Sequence, residues 1–118
     1  LLGELQLVYQ QVIELIDKAL SEELGDPDEL MYFKEGFSKE FNPELMPDNY
    51  IDLRFFGTSM LGKISEFSRY WSVEELVDNT ILNELNSIVK NITIPSPITT
   101  QDRPKINQKS SGFTPVKN

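Results

Sequence analysis

The sequence predicts an all-α protein, with about four helices in a bundle or in a more orthogonal helical domain, followed by an extended basic C-terminal tail. Three observations support this prediction. Apolar residues recur at intervals of three and four through residues 1–92, which is the spacing of one helix face. Helix start and stop signals divide this region into four segments. Residues 93–118 then contain four prolines among many serines and threonines, which excludes a long helix there.

The first segment, residues 1–24, carries two parallel rows of apolar residues. The first row has the heptad spacing of a helix seam and contains Leu1, Leu5, Val8, Val12, Leu15 and Ala19. The second row lies beside it and contains Leu2, Tyr9, Ile13, Ile16 and Leu20. Gly25 is the predicted stop, because glycine commonly ends helices. The apolar arc is wider than one partner helix requires, so either this helix is central or one row contacts a partner chain.

The second segment begins with a strong helix start signal. Asp26 is a suitable N-cap, and Pro27 fits the first helical position. Phenylalanines at helical spacing continue the segment to about Phe41. Two prolines within residues 42–49 predict a loop there, because a residue before proline avoids the helical conformation.

The third segment is predicted to be a helix over residues 49–70. Its apolar stripe runs at helical spacing, and Gly57 and Gly62 weaken or bend it, at a cost of roughly 1 kcal/mol each relative to alanine. We expect no internal repeat among the four segments.

The fourth segment is predicted to begin at a capping box. Ser72 and Glu75 have the required spacing, and Trp71 precedes the cap as one half of a hydrophobic staple. The apolar face that follows predicts a helix from Ser72 to about Ile92. Trp71 would then connect the third and fourth helices.

Composition and charge divide the chain into an acidic helical domain, residues 1–92, and a tail, residues 93–118. Residues 1–52 carry 13 acidic and three basic side chains, whereas the tail carries one acidic and four basic ones. The tail is too polar to form a core of its own. Its widely spaced apolar residues could contact the acidic domain or a partner.

The residue types present exclude most catalytic sites. The chain contains neither histidine nor cysteine, which removes the commonest general base, metal ligand and thiol nucleophile. It also lacks phosphate-loop, dinucleotide-binding and nucleophile-elbow motifs. One carboxylate cluster could hold Ca²⁺ or Mg²⁺, but it lacks the calcium-loop pattern; it contains Glu22, Glu23, Asp26, Asp28 and Glu29. We therefore expect no enzyme activity, no cofactor and no metal site.

The same features limit the partners. An acidic domain is unsuited to nucleic acid, since phosphate binding requires clustered basic residues. No apolar run is long enough to cross a membrane. The absence of cysteine and of a signal peptide favours an intracellular location, either cytoplasmic or nuclear. The start at Leu1, without an initiator methionine, suggests a fragment of a longer chain.

The leading hypothesis is a non-enzymatic protein–protein interaction or scaffold domain of a larger assembly. The assembly could be a homo-oligomer or a hetero-oligomer. The domain would bind another protein chain through the apolar surface of the first helix and through the tail. The residues expected to contact a partner are Leu2, Tyr9, Ile13, Ile16, Leu20, Phe55, Ile94, Ile98 and Phe113. Phe55 and Phe56 cannot share one helix face, so one of them, with Tyr32 or Tyr70, should reach the surface.

The alternative hypothesis is an acidic inhibitor or immunity-type protein. It would neutralise a basic partner such as a nuclease by charge complementarity, with residues 1–52 carrying the charge. Binding of this kind weakens steeply as salt is added. A small enzyme or metal protein is the least favoured class.

Overall fold

The computed structural model describes residues 1–94, and this part of the chain is all-α, as predicted. Four α-helices are present: α1 spans Leu2–Ser21, α2 spans Pro27–Phe41, α3 spans Tyr50–Val73 and α4 spans Asn79–Lys90. A short 3-10 turn at Pro43–Leu45 lies in the predicted loop between α2 and α3. Residues 95–118 lie outside the described residues.

The predicted bounds of α2 are confirmed. One carboxylate oxygen of Asp26 accepts hydrogen bonds from the backbone N–H groups of Asp28 (2.9 Å) and Glu29 (3.2 Å), so Asp26 is the N-cap. Helix α1 ends earlier than predicted, because Glu23 takes a left-handed conformation with φ of 56°. The N–H of Leu24 then donates to the carbonyl of Ala19 at 2.8 Å, which closes the helix before Gly25 is reached.

The capping box predicted at Ser72 is wrong. Helix α3 continues through Ser72 to Val73, and Glu75 takes a left-handed conformation with φ of 56°. The N-cap of α4 is Asp78, whose carboxylate accepts the N–H of Thr80 at 2.8 Å. The capping box at Ser72 does not form because Trp71 is buried as part of α3, and Leu76 and Val77 of the following turn pack against the core.

The core surrounds α1, which contacts α2, α4 and the 3-10 turn. The heptad row of α1 is buried from Leu5 to Ala19, and Leu1 packs against the same cluster. The predicted seam is therefore the centre of the molecule. This leaves α2 and α3 to meet on the far side of the core.

Aromatic rings fill the space between α2 and α3. Phe33 contacts Phe67 and Trp71, with ring centroids 4.9 and 5.2 Å apart. Phe41 contacts Phe56 near the other end of the same interface, at 5.4 Å. Since large rings separate the two backbones, the surface above them is a cleft rather than a closed helix seam.

Candidate interaction surface

The second apolar row of α1 is largely covered by the rest of the protein. Ile16 is fully buried (0% exposed), so the expectation that it contacts a partner is corrected. Tyr9, Ile13 and Leu20 are half-buried and pack against the core, with the ring of Tyr9 stacked 5.7 Å from that of Phe37. Only Leu2 of this row is exposed, at 39%. The wide arc of α1 thus serves its internal neighbours, which is the first of the two interpretations.

Of the three tail residues that were expected to contact a partner, only Ile94 lies within the described residues. Ile94 packs against the core, where its Cδ1 atom and the side chain of Leu5 occupy the space next to Gly57. Ile92 is buried as well. The tail segment therefore begins on the helical domain itself. Ile98 and Phe113 lie outside the described residues.

One of the two adjacent phenylalanines reaches the surface, as the sequence led us to expect. Phe55 is 57% exposed, whereas Phe56 is half-buried against Phe41. Ile51, one turn before Phe55, is exposed as well. A small apolar patch therefore lies on the N-terminal half of α3.

A larger aromatic surface lies between α2 and α3. A cleft of about 480 Å³, here called the α2–α3 cleft, is lined by Glu29, Tyr32, Lys63, Glu66, Phe67 and Tyr70. Tyr32 is 70% exposed and Tyr70 is 45% exposed. Their rings flank Phe67, with centroids 6.4 and 6.5 Å from it. The three rings form one continuous aromatic surface that is open to solvent.

Three charged side chains line the cleft: Glu29, Lys63 and Glu66. The ammonium of Lys63 lies 3.9 Å from the carboxylate of Glu40, which is near the C-terminal end of α2. One carboxylate oxygen of Glu29 accepts the indole N–H of Trp71 at 3.3 Å, which holds this side chain against the buried rings. With two carboxylates and one ammonium, the lining beside the aromatic surface has a net negative charge.

The two interhelical turns form a second distinctive surface. The turn before α2 and the turn before α4 pair through a single antiparallel bridge between Gly25 and Val77. The N–H of Asp26 donates to the carbonyl of Leu76 at 2.8 Å, and the N–H of Asp78 donates to that of Leu24 at 2.7 Å. The exchange is reciprocal, so the two turns are held side by side.

These paired turns carry a dense set of exposed carboxylates, here called the acidic turns: Glu22, Glu23, Asp26, Asp28, Glu74, Glu75 and Asp78. Within residues 1–94 no three carboxylates converge in an arrangement that could hold a metal ion.

The pKa of Asp78 lies below its usual value, chiefly because the carboxylate accepts a hydrogen bond from the backbone N–H of Thr80 and another from the hydroxyl of Thr80.

The turns also reveal a repeat that the sequence analysis missed. Residues 22–26 and 74–78 share the pattern Glu-Glu-Leu-x-Asp. Each copy places its second glutamate in the left-handed conformation and its aspartate at a helix N-cap. This repeated sequence is the signal from which both turns, and the start of α4 after Asp78, could have been predicted.

Comparisons with known proteins add no assignment. The sequence matches no protein-family model, and we found no match to it among curated proteins or among solved structures. Among the described helices, none combines the length and apolar character needed to span a membrane.

Proposed function

We propose that this protein is a non-enzymatic interaction domain that binds another protein chain at the α2–α3 cleft. The observation that carries the proposal is the continuous aromatic surface of Tyr32, Phe67 and Tyr70, which the fold leaves open between two helices. Tyrosine is among the residue types most enriched in the binding hot spots of interfaces.

The position of the cleft supports this choice over the first helix. The aromatic surface has buried rings beneath it, since Phe67 also contacts Phe33 and Trp71 at 4.9 and 5.5 Å. A ring held by the core loses little conformational entropy when a partner covers it. The second apolar row of α1 offers a partner less apolar surface, because other parts of the protein already cover most of it.

The proposal can be tested by quantitative affinity capture with the full chain as bait. Tyr32→Ser and Tyr70→Ser are combined to remove the exposed rings of the cleft. The matched control combines Tyr50→Ser and Phe55→Ser, which removes two exposed rings from the other end of α3. Thermal unfolding of each variant, followed by circular dichroism, verifies that both remain folded.

We expect a set of proteins that the unchanged chain and the control capture equally, and that the cleft variant loses. A hot-spot ring is typically responsible for about 2 kcal/mol of binding free energy, so retention should fall at least tenfold. Equal capture by all three baits would contradict the proposal, and loss in the control alone would assign binding to the patch around Phe55.

The acidic turns favour a second candidate, an acidic inhibitor of a basic protein. Seven exposed carboxylates lie on two turns that backbone hydrogen bonds hold together. Residues 1–94 as a whole carry 18 acidic and seven basic side chains. A surface of this kind attracts a basic partner over distances of about one Debye length.

Salt dependence separates the two candidates. An inhibitor that acts through the acidic turns should lose its partner as salt rises from about 0.05 to 0.5 M, because exposed charges are screened. Replacing Glu22, Glu23, Glu74 and Glu75 by glutamine should have the same effect at low salt. Affinity that is unchanged by both treatments would exclude the inhibitor.

A further inference from the structure

We propose that the α2–α3 cleft recognises an arginine side chain presented by a basic segment of the partner protein. This inference rests on the proposed function and names the chemistry that the cleft accepts. The cleft offers two exposed tyrosine rings and the half-buried ring of Phe67, with two carboxylates beside them and one resident cation, Lys63.

The rings supply a surface for a planar cation. Phe67 lies between Tyr32 and Tyr70, with centroid distances of 6.4 and 6.5 Å and with interplanar angles of 47° and 83°. The three rings therefore present both faces and edges to the α2–α3 cleft. A guanidinium group is attracted to the negative face of an aromatic ring and stacks on it.

The carboxylates select a cation over an apolar group. Glu29 and Glu66 line the cleft together with the rings. The resident cation, Lys63, has its ammonium 3.9 Å from Glu40, a residue outside the lining of the cleft. The lining therefore holds two carboxylates against one ammonium that already has a partner, and a forked guanidinium can reach a carboxylate while its stem covers the rings.

Arginine already contacts a tyrosine elsewhere on this surface. The guanidinium carbon of Arg54 lies 5.4 Å from the centroid of the Tyr50 ring on the same helix. This contact supplies an internal comparison, because removal of the Tyr50 ring leaves the cleft unchanged. It is therefore the matched control for the experiment.

Trp71 provides a specific reporter of binding. It is the only tryptophan in the chain, so its indole N–H gives a single resonance in an NMR spectrum of the ¹⁵N-labelled protein. The indole N–H donates to Glu29 at 3.3 Å. A guanidinium that engages Glu29 from the cleft will change this hydrogen bond and shift the resonance.

The experiment titrates the full chain with three acetylated and amidated peptides of sequence Gly-Leu-X-Leu-Gly, where X is arginine, lysine or citrulline. Citrulline keeps the shape of arginine and removes its charge. We expect the arginine peptide to shift the Trp71 indole resonance and to bind about five- to tenfold more tightly than the citrulline peptide. The lysine peptide should bind more weakly than the arginine peptide.

Two variants test the site. Glu66→Gln and Tyr32→Leu should each weaken the arginine peptide about three- to tenfold, whereas Tyr50→Leu should leave its affinity unchanged. Equal binding of the arginine and citrulline peptides, or no shift at Trp71, would overturn the inference. In that case, selective loss of captured proteins by the cleft variant would still support the interaction domain, with an uncharged side chain in the cleft.

Discussion

At the scale of single residues, Gly57 and Gly62 show how the surroundings decide the role of a glycine. A Cβ atom at Gly57 would lie 2.8 Å from Cδ1 of Ile94 and 3.0 Å from Cδ1 of Leu5. A Cβ atom at Gly62 would meet nothing within 4 Å. From the sequence, both glycines could either weaken the helix or allow a neighbour to approach closely; in the structure only Gly57 has a neighbour within 4 Å of its Cβ position.

The first prediction compares the same substitution at these two glycines. Gly57→Val should lower the free energy of unfolding by about 1–3 kcal/mol, because Leu5 and Ile94 must shift to make room. Gly62→Val is the control and should change stability by less than about 0.5 kcal/mol, since it lies on an exposed surface. Urea unfolding measures both, and equal effects at the two positions would contradict the packing at Gly57.

The second prediction concerns the titration of Asp78. Hydrogen bonds from Thr80, first from its backbone N–H and then from its hydroxyl, hold the pKa of this carboxyl below 3.8. The stabilisation by the ionised cap is therefore complete above pH 3.8 and is lost as the pH falls through the lower, folded-state pKa. Carbonyl ¹³C NMR should give a midpoint below 3.8.

Thr80→Val is the matched variant for this titration. It removes the hydroxyl donor and keeps the backbone N–H, so the pKa of Asp78 should rise part of the way toward 3.8. A midpoint at or above 3.8 in the unchanged protein would mean that the cap does not form in solution.

At the scale of elements, the paired turns explain why the sequence misplaced the start of α4. A capping box is a local pattern, and Ser72 satisfies it. The structure instead buries Trp71 inside α3 and uses the next residues for a turn that bonds to its counterpart. Tertiary contacts of this kind routinely override local preference.

The third prediction is that the two turns are protected together. The N–H groups of Asp26 and Asp78 are bonded to carbonyls of the opposite turn, so they should exchange with solvent far more slowly than the N–H of the exposed loop residue Asp48. Hydrogen-exchange NMR measures these rates. Exchange of either amide as fast as that of Asp48 would contradict the pairing.

A substitution at the bridge tests whether the protection is shared. In Gly25→Ala, the new Cβ would lie 3.0 Å from a methyl of Val77 and 3.2 Å from the carbonyl oxygen of Leu76. We expect faster exchange at both turns. Gly36→Ala, which adds a Cβ to open space on α2, should leave both rates unchanged.

At the scale of the whole molecule, the chain following α4 contributes to the core before the described residues end. Ile92 is buried and Ile94 packs beside Leu5, so the chain stays on the core for a few residues after α4. The Lys34–Asp17 ion pair (2.6 Å) joins α2 to α1, and the aromatic interface joins α2 to α3. Helix α2 is thus held by two neighbouring helices.

The fourth prediction compares two truncated chains. A chain that ends at Asn91 should be less stable than one that ends at Ile94 by about 2–4 kcal/mol, because it lacks the apolar burial of Ile92 and Ile94. Thermal and urea unfolding measure the difference. If both chains unfold at the same midpoint, these residues do not pack on the core in solution.

The sequence by itself determined the fold class, the apolar seam of α1 and the bounds of α2. These follow from the apolar period and from the local chemistry of Asp26 and Pro27, which act within a few residues along the chain. It also indicated that Phe55 or Phe56, together with Tyr32 or Tyr70, would be exposed, because adjacent residues cannot share one helix face.

Only the tertiary structure decided which apolar residues remain at the surface. Ile16 is buried in the core around α1, whereas Tyr32 is open because it lies at the cleft between α2 and α3. A periodic pattern does not specify how many neighbours a helix face will meet. The pairing of the two turns and the cleft between α2 and α3 likewise arise from residues far apart in sequence. Contacts between residues far apart in sequence depend on how the whole chain packs, and the proposed binding surface is formed by such contacts.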